Sequence, residues 1–126
     1  MRILILVDRY KPSPISGARM MEDLAIELYS RNNTISVIST DHKIDKKFIR
    51  YKESNIDIIK VKSGKINHSS KIVRTFIEST LSLKIWHSVE NLLQREKFDL
   101  VICYSPTIFW GGLVKRLKLK NDCKFY

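Results

Sequence analysis

The chain opens on an unbroken aliphatic run. Residues 2–8, Arg-Ile-Leu-Ile-Leu-Val-Asp, show no alternation between faces, the pattern of a central parallel strand covered by helices on both sides. From Ala18 to about Arg31, Met21, Leu24, Ala25 and Leu28 recur at three- and four-residue spacing, with Glu22, Asp23 and Glu27 turned elsewhere. That spacing predicts an amphipathic helix packed on the sheet, with Ser16 as its N-cap and Asn32-Asn33 as its end. Thr34–Thr40 and Ile56–Lys62 are rich in β-branched residues and read as the second and third strands. The basic segment between them reads as an exposed loop or a strand-edge hairpin. Ser69-Ser70 can cap a long helix in which apolar residues keep the helical period from Ile72 to about Glu96, with room for a bend near Ser79 to Ser82. Phe98–Cys103 reads as a fully buried fourth strand, Tyr104-Ser105-Pro106 as a turn, 107–120 as a helix, and 123–126 as the beginning of a fifth strand.

This order describes a single Rossmann-like domain over 1–126: α/β, doubly wound, with a mainly parallel sheet and helices on both faces. Sites in such sheets lie at the carboxyl ends of the strands, where neighbouring crossovers diverge. Two loops therefore carry the candidate chemistry, Asp8 to Gly17 and Tyr104 to Thr107.

Composition narrows the setting. The 126 residues are 44% hydrophobic, enough for an ordinary core. Cys103 and Cys123 form neither a disulfide framework nor a metal-ligand pattern, so a cytoplasmic setting and no metal are expected. The first apolar run is too short for a signal peptide or a membrane span. The net charge of +10 is concentrated: residues 41–75 carry ten Lys/Arg against four Asp/Glu, and residues 111–126 carry five against one. Those stretches account for the whole excess. They suit either a solvated face or an anionic partner such as a membrane surface, and Lys46, Lys47 and Arg50 are the membrane-facing candidates.

The first loop is neither a Walker A motif nor a dinucleotide fingerprint, because Gly17 stands alone and no Gly-Lys-Ser/Thr follows. A receiver domain is disfavoured by Arg9 beside Asp8 and by a third strand that runs into Lys62-Ser63-Gly64. What the loop supplies is a glycine that lets backbone approach a ligand, beside a helix N-terminus whose amides and dipole favour an anion such as a diphosphate. His42, His68 and His87 pair with no visible triad and read as surface or packing residues.

The opening Met1 to Ala18 resembles that of the retaining family 4 glycosyltransferases with the GT-B fold, in Tyr10-Lys11-Pro12, Ser16-Gly17 and the Leu24 to Leu28 helix core. The run from Phe98 through Tyr104-Ser105-Pro106 resembles that family's fourth strand and following turn. The bacterial enzymes of O-antigen, capsule and colanic-acid synthesis are the nearest in character. The resemblance implies the acceptor-binding, amino-terminal half of a two-domain enzyme that uses a nucleotide-sugar substrate and needs no cofactor. A missing carboxy-terminal domain would hold most of the donor, and the chain alone is expected to be inactive. That domain carries a spaced pair of glutamates in the family, and no two Glu residues here are eight positions apart.

Carried over position by position, Gly17 matches the glycine near the donor diphosphate and Ser16 replaces a second glycine found in many relatives. Arg19, one turn inside the helix, either adds a phosphate contact or faces solvent. Asp8, Tyr10, Tyr104, Ser105, Pro106 and Thr107 are the acceptor-site candidates. Some relatives have a histidine where this chain has Tyr104, so that role does not transfer and the catalytic residues stay unassigned. The expected acceptor is a lipid-linked saccharide, met at the inner face of the plasma membrane. The alternative is a non-catalytic basic α/β module that binds nucleic acid or a partner subunit. It rests on charge alone, since no nucleic-acid-binding motif is present.

Overall fold

The computed structural model describes residues 1–63, 71–104, 110–120 and 122–126, without the side chains of 71–79, 81, 82 and 120. Its elements follow in the order β1 (Arg2–Val7), α1 (Ser16–Ser30), β2 (Thr34–Asp41), β3 (Phe48–Glu53), β4 (Ile56–Lys62), α2 (Lys71–Arg95), β5 (Leu100–Tyr104), α3 (Gly111–Lys120) and β6 (Lys124–Phe125). The strands form one sheet in the order β3-β4-β2-β1-β5-β6, parallel throughout except where β3 meets β4. The fold is the doubly wound, mainly parallel Rossmann-like arrangement that the hydrophobic runs predict. β1 is central, with β2 on one flank and β5 on the other. The crossovers diverge there, which makes the carboxyl ends of β1 and β5 the switch point.

The unbroken run in β1 has a direct cause. Ile3, Ile5 and Val7 pack with Ile35, Val37, Met21 and Ala25 beneath α1. Leu4 and Leu6 point the other way, into a second core with Ile38, Trp86, Val89, Val101, Leu113 and Leu117 beneath α2 and α3. Period-two geometry sends alternate residues to opposite faces, so a strand with two covered faces has no polar position left.

Several local expectations need correction. Ser16 is the first helical residue rather than the cap; Ile15 occupies the cap position in extended geometry and makes no side-chain cap hydrogen bond. Serine one position late cannot aim its hydroxyl back at the first turn. β5 is only partly covered. Val101 is buried, whereas Leu100 and Ile102 are half-buried and Tyr104 is exposed, because α1 lies over β1, β2 and β4 and leaves that side of β5 open. The end of α1 follows expectation. Asn32 takes a left-handed φ of 62°, and the Asn33 amide donates to the Leu28 carbonyl at 2.8 Å. α2 is continuous helix over 71–95, while the Ser69-Ser70 cap lies outside the described residues.

The basic segment between β2 and β4 resolves into the edge hairpin of the two readings. β3 runs antiparallel to β4 and returns through Ser54-Asn55, both at positive φ, a two-residue turn whose twist matches the strands it joins. A hairpin thus stands where a doubly wound fold usually places a crossover helix, and the α1 face beside β4 needs another cover. The first loop supplies it. Tyr10 is buried in the same cluster as Ile56 and Ile58, and the Lys11 ammonium reaches Glu22 of α1 at 2.9 Å and Glu53 of β3 at 3.1 Å. Burial alone would lower the Lys11 pKa, but the bonds to Glu22 and Glu53 outweigh it and leave it raised.

Candidate ligand crevice at the carboxyl edge of the sheet

Asp8 ends β1 on the side of α2 and α3. Its carboxylate accepts a hydrogen bond from the indole Nε1 of Trp110 at 2.6 Å, and its carbonyl accepts from the Thr40 hydroxyl at 2.7 Å and the Thr40 amide at 3.2 Å. Trp110 is 1% exposed and immediately precedes α3, so this bond ties the tip of β1 to the start of α3 across the switch point. Nothing in sequence spacing marks the pair, which are 102 positions apart. The only signal is a bulky donor beside Gly111 at a helix start.

On the opposite face, α1 begins at the same edge. Ala18 and Arg19 amides both donate to the Ile15 carbonyl, and the Ser16 and Gly17 amides precede the first intrahelical bonds. Gly17 has no positive φ. The space beside it is taken: a Cβ there would lie 2.8 Å from Cε1 and 3.2 Å from the hydroxyl of Tyr104, so the exposed ring would have to shift. The structure thereby brings together two predicted residues from separate loops, since Tyr104 pairs in register with Val7 and lays its ring against the start of α1. Arg19 is exposed on the first turn. Ser105, Pro106 and Thr107 lie outside the described residues.

Two further predicted residues stand away from this crevice. Tyr10 is 3% exposed and its hydroxyl has no hydrogen-bond partner among the described residues. Burial pushes the phenol up from its usual 10.0 to about 12. Its neutral form is therefore favoured on folding, and the associated stability is present below pH 10 and lost as pH rises through about 12. Tyr10→Phe is expected to leave the melting temperature at neutral pH unchanged or slightly raised, because it removes an unpaired buried hydroxyl. Melting scans check this, and a drop of several degrees would show a hidden partner. Arg50 directs its guanidinium to Asp57 (Nε to Oδ1, 3.0 Å) and to Glu96 (2.7 Å), and Glu96 also meets Arg2 at 3.5 Å. The Asp57 bond, with Glu96 behind it, raises the Arg50 pKa despite partial burial. Arg50 fastens the amino edge of the sheet to the end of α2, whereas Lys46 and Lys47 are exposed at the opposite, carboxyl edge.

Burial raises the pKa of the Cys103 thiol, with Asp8 adding to it, and burial likewise raises that of Cys123. Among the described residues no group of His, Cys, Asp and Glu could hold a metal ion, and no helix is long and apolar enough to cross a membrane.

The class this geometry defines is a Rossmann-like domain, with its candidate site at the switch point. No family model and no curated protein matches the chain. Among solved structures it is similar to trehalose-6-phosphate synthase, OtsA, with TM-score 0.63 and 12% identity over 92% of this chain and 31% of that one. It is also similar to the E. coli trehalose-6-phosphate structure bound with UDP-2-fluoro glucose, at 0.62 and 13% over 92% of this chain and 30% of that one. A third likeness is to the C-terminal domain of PF1911 hydrogenase from Pyrococcus furiosus, at 0.59 and 15% over 99% of this chain and 88% of that one. At these identities the likeness establishes the fold. The chain spans less than a third of the length of the first two.

Proposed function

We propose that the chain is the amino-terminal, acceptor-binding half of a retaining GT-B glycosyltransferase of family 4 type, completed by a second domain that holds most of a nucleotide-sugar donor. The supporting observation is the switch-point crevice, where the start of α1, Gly17 and Tyr104 converge at the carboxyl edge. The likeness of this fold to about 30% of a structure bound with UDP-2-fluoro glucose supports the same reading.

In this reading the Ser16 and Gly17 amides, with Arg19 beside them, face the donor diphosphate and help neutralise the charge that grows as it leaves. Asp8, oriented by Trp110, and Tyr104 line the acceptor side and hold a hydroxyl against the anomeric carbon, where positioning supplies much of the rate. The acceptor is a lipid-linked saccharide of cell-surface polysaccharide synthesis, approached from the cytoplasmic side with Lys46 and Lys47 toward the anionic leaflet. The chain by itself is inactive, and no metal takes part.

Transfer assays test this: the complete gene product is incubated with UDP- and GDP-sugars and polyprenyl-diphosphate saccharides. Sugar incorporation that requires both halves, with amide shifts at Ser16, Gly17 and Arg19 on donor addition, is the expected outcome. Absence of any donor-dependent shift near α1 would remove the reading. A second reading, a non-catalytic basic α/β module, is favoured by the net charge of +10 concentrated in residues 41–75 and 111–126. That reading requires salt-sensitive retardation of nucleic acid or a co-purifying partner subunit.

A further inference from the structure

The loop from β2 to β3 crosses the carboxyl end of β4, because Asp41 ends β2 and Phe48, at the start of β3, pairs with Val61 near the end of β4. Lys43, Lys46, Lys47 and the β4 residue Lys62 consequently sit on one short stretch of the edge that also carries Asp8 and the start of α1. This loop is fastened on both sides. The Lys43 amide donates to the Asp41 carboxylate at 2.9 Å, the Ser63 amide to the Asp41 carbonyl at 3.1 Å, the Lys62 amide to the Lys47 carbonyl at 2.9 Å, and Lys62 Nζ to the Asp45 carbonyl at 3.3 Å.

Some cations of the domain are matched by carboxylates, as Lys11 is by Glu22 and Glu53, Arg50 by Asp57 and Glu96, and Arg31 by Glu27. The lysines of this corner are among those that are not. All four lysines are exposed, and none forms an ion pair among the described residues. The nearest acid in sequence, Asp41, is engaged with the buried Lys60 at 3.5 Å, which leaves Asp45 as the single acidic side chain within the loop. Four like charges held close by a pinned backbone repel one another, and a multivalent anion relieves that repulsion where water and monovalent salt do so weakly.

We propose that Lys43, Lys46, Lys47 and Lys62 form a docking surface for the diphosphate of the acceptor, with the saccharide extending along the edge toward Asp8. β4 stands two strand spacings from β1, about 10 Å at about 4.8 Å each, a span that the first sugars of such an acceptor bridge. The proposal rests on the glycosyltransferase reading for the identity of the ligand. Its physical content, a diphosphate site at this corner, stands separately.

The test uses the chain with inorganic pyrophosphate as probe, followed by amide chemical shifts at low salt. Shifts centred on residues 41–47 and 62, and binding about tenfold weaker in a variant carrying K43Q, K46Q, K47Q and K62Q, are expected. An unchanged pyrophosphate affinity in that variant overturns the proposal, as do equal amide shifts at 41–47 and 62 when sodium chloride at matched ionic strength replaces the probe. In a second arm, vesicles containing anionic lipid are offered to both proteins. If the variant loses vesicle binding while pyrophosphate binding is unchanged, the surface serves a membrane and the diphosphate site is overturned. Donor-induced shifts at Ser16 and Gly17 should persist in the variant, so failure of the glycosyltransferase reading shows at α1 and failure of the diphosphate site shows at the loop.

Discussion

Gly17→Val is expected to destabilise the fold by about 1–3 kcal/mol, because the new side chain must displace the Tyr104 ring from the start of α1. Even the first added carbon meets that ring at 2.8 Å. The neighbour is the outer end of an exposed tyrosine side chain, which gives way by turning toward solvent. Combining the substitution with Tyr104→Ala should therefore restore more than half of the lost stability, a coupling that urea midpoints measure in a double-mutant cycle. The double variant also separates two roles for the glycine. With the steric conflict gone, a fold of near-normal stability that gives no donor-induced shift at Ser16 would assign Gly17 to ligand approach as well as to packing. A Gly17→Val protein that unfolds at the wild-type midpoint would refute the packing role altogether.

Trp110→Ala should have the largest effect of any single change near the crevice, about 3–5 kcal/mol, as it empties a position 1% exposed in the core beneath α2 and α3. Trp110→Phe isolates the polar part of that loss. Phenylalanine keeps most of the packing but cannot donate to Asp8, and a hydrogen bond to a charged group contributes about 1.5–3 kcal/mol. If Trp110→Phe and Trp110→Ala differ by less than the error of the urea midpoints, the loss is all polar; if Trp110→Phe is silent, the bond to Asp8 contributes nothing. Asp8→Asn keeps an acceptor oxygen for the indole, so it should cost less than Trp110→Phe while testing the carboxylate charge in transfer assays.

Much of this architecture is legible in the chain because two-sided burial writes itself into composition. β1, β2 and β4 are strings of aliphatic residues for the same reason that both of their faces are covered, and α1 shows its period because only one of its sides is. Asn32 marks the end of α1 because its short amide tolerates a left-handed backbone. The start of α1 was legible only to within one residue. Ser16 has the chemistry of a cap but stands after the extended residue whose geometry a cap requires.

The candidate site was legible as an edge of the sheet and not as a set of contacts. Sheet topology puts any site at the tips of β1 and β5, so Asp8, Gly17 and Tyr104 could be singled out from strand order alone. Tyr10 looked equally exposed by position. Its burial goes with the hairpin at β3: with no crossover helix there, Tyr10 from the first loop packs into the cluster beneath α1, and Tyr51 of β3 packs against it. Arg50 sits in the most basic stretch of the chain, yet its guanidinium is engaged by Asp57 and Glu96.

By itself, then, the order of residues determined the layers, the central strand and the edge at which a ligand would meet the domain, since periodicity and charge are local properties. Only the tertiary structure decided that Trp110 holds Asp8, that the Tyr104 ring lies against Gly17, and that four lysines without an ion pair among the described residues share the edge over β4. Those are relations between segments distant in sequence, and their energies come from packing and proximity that exist only once the sheet has formed.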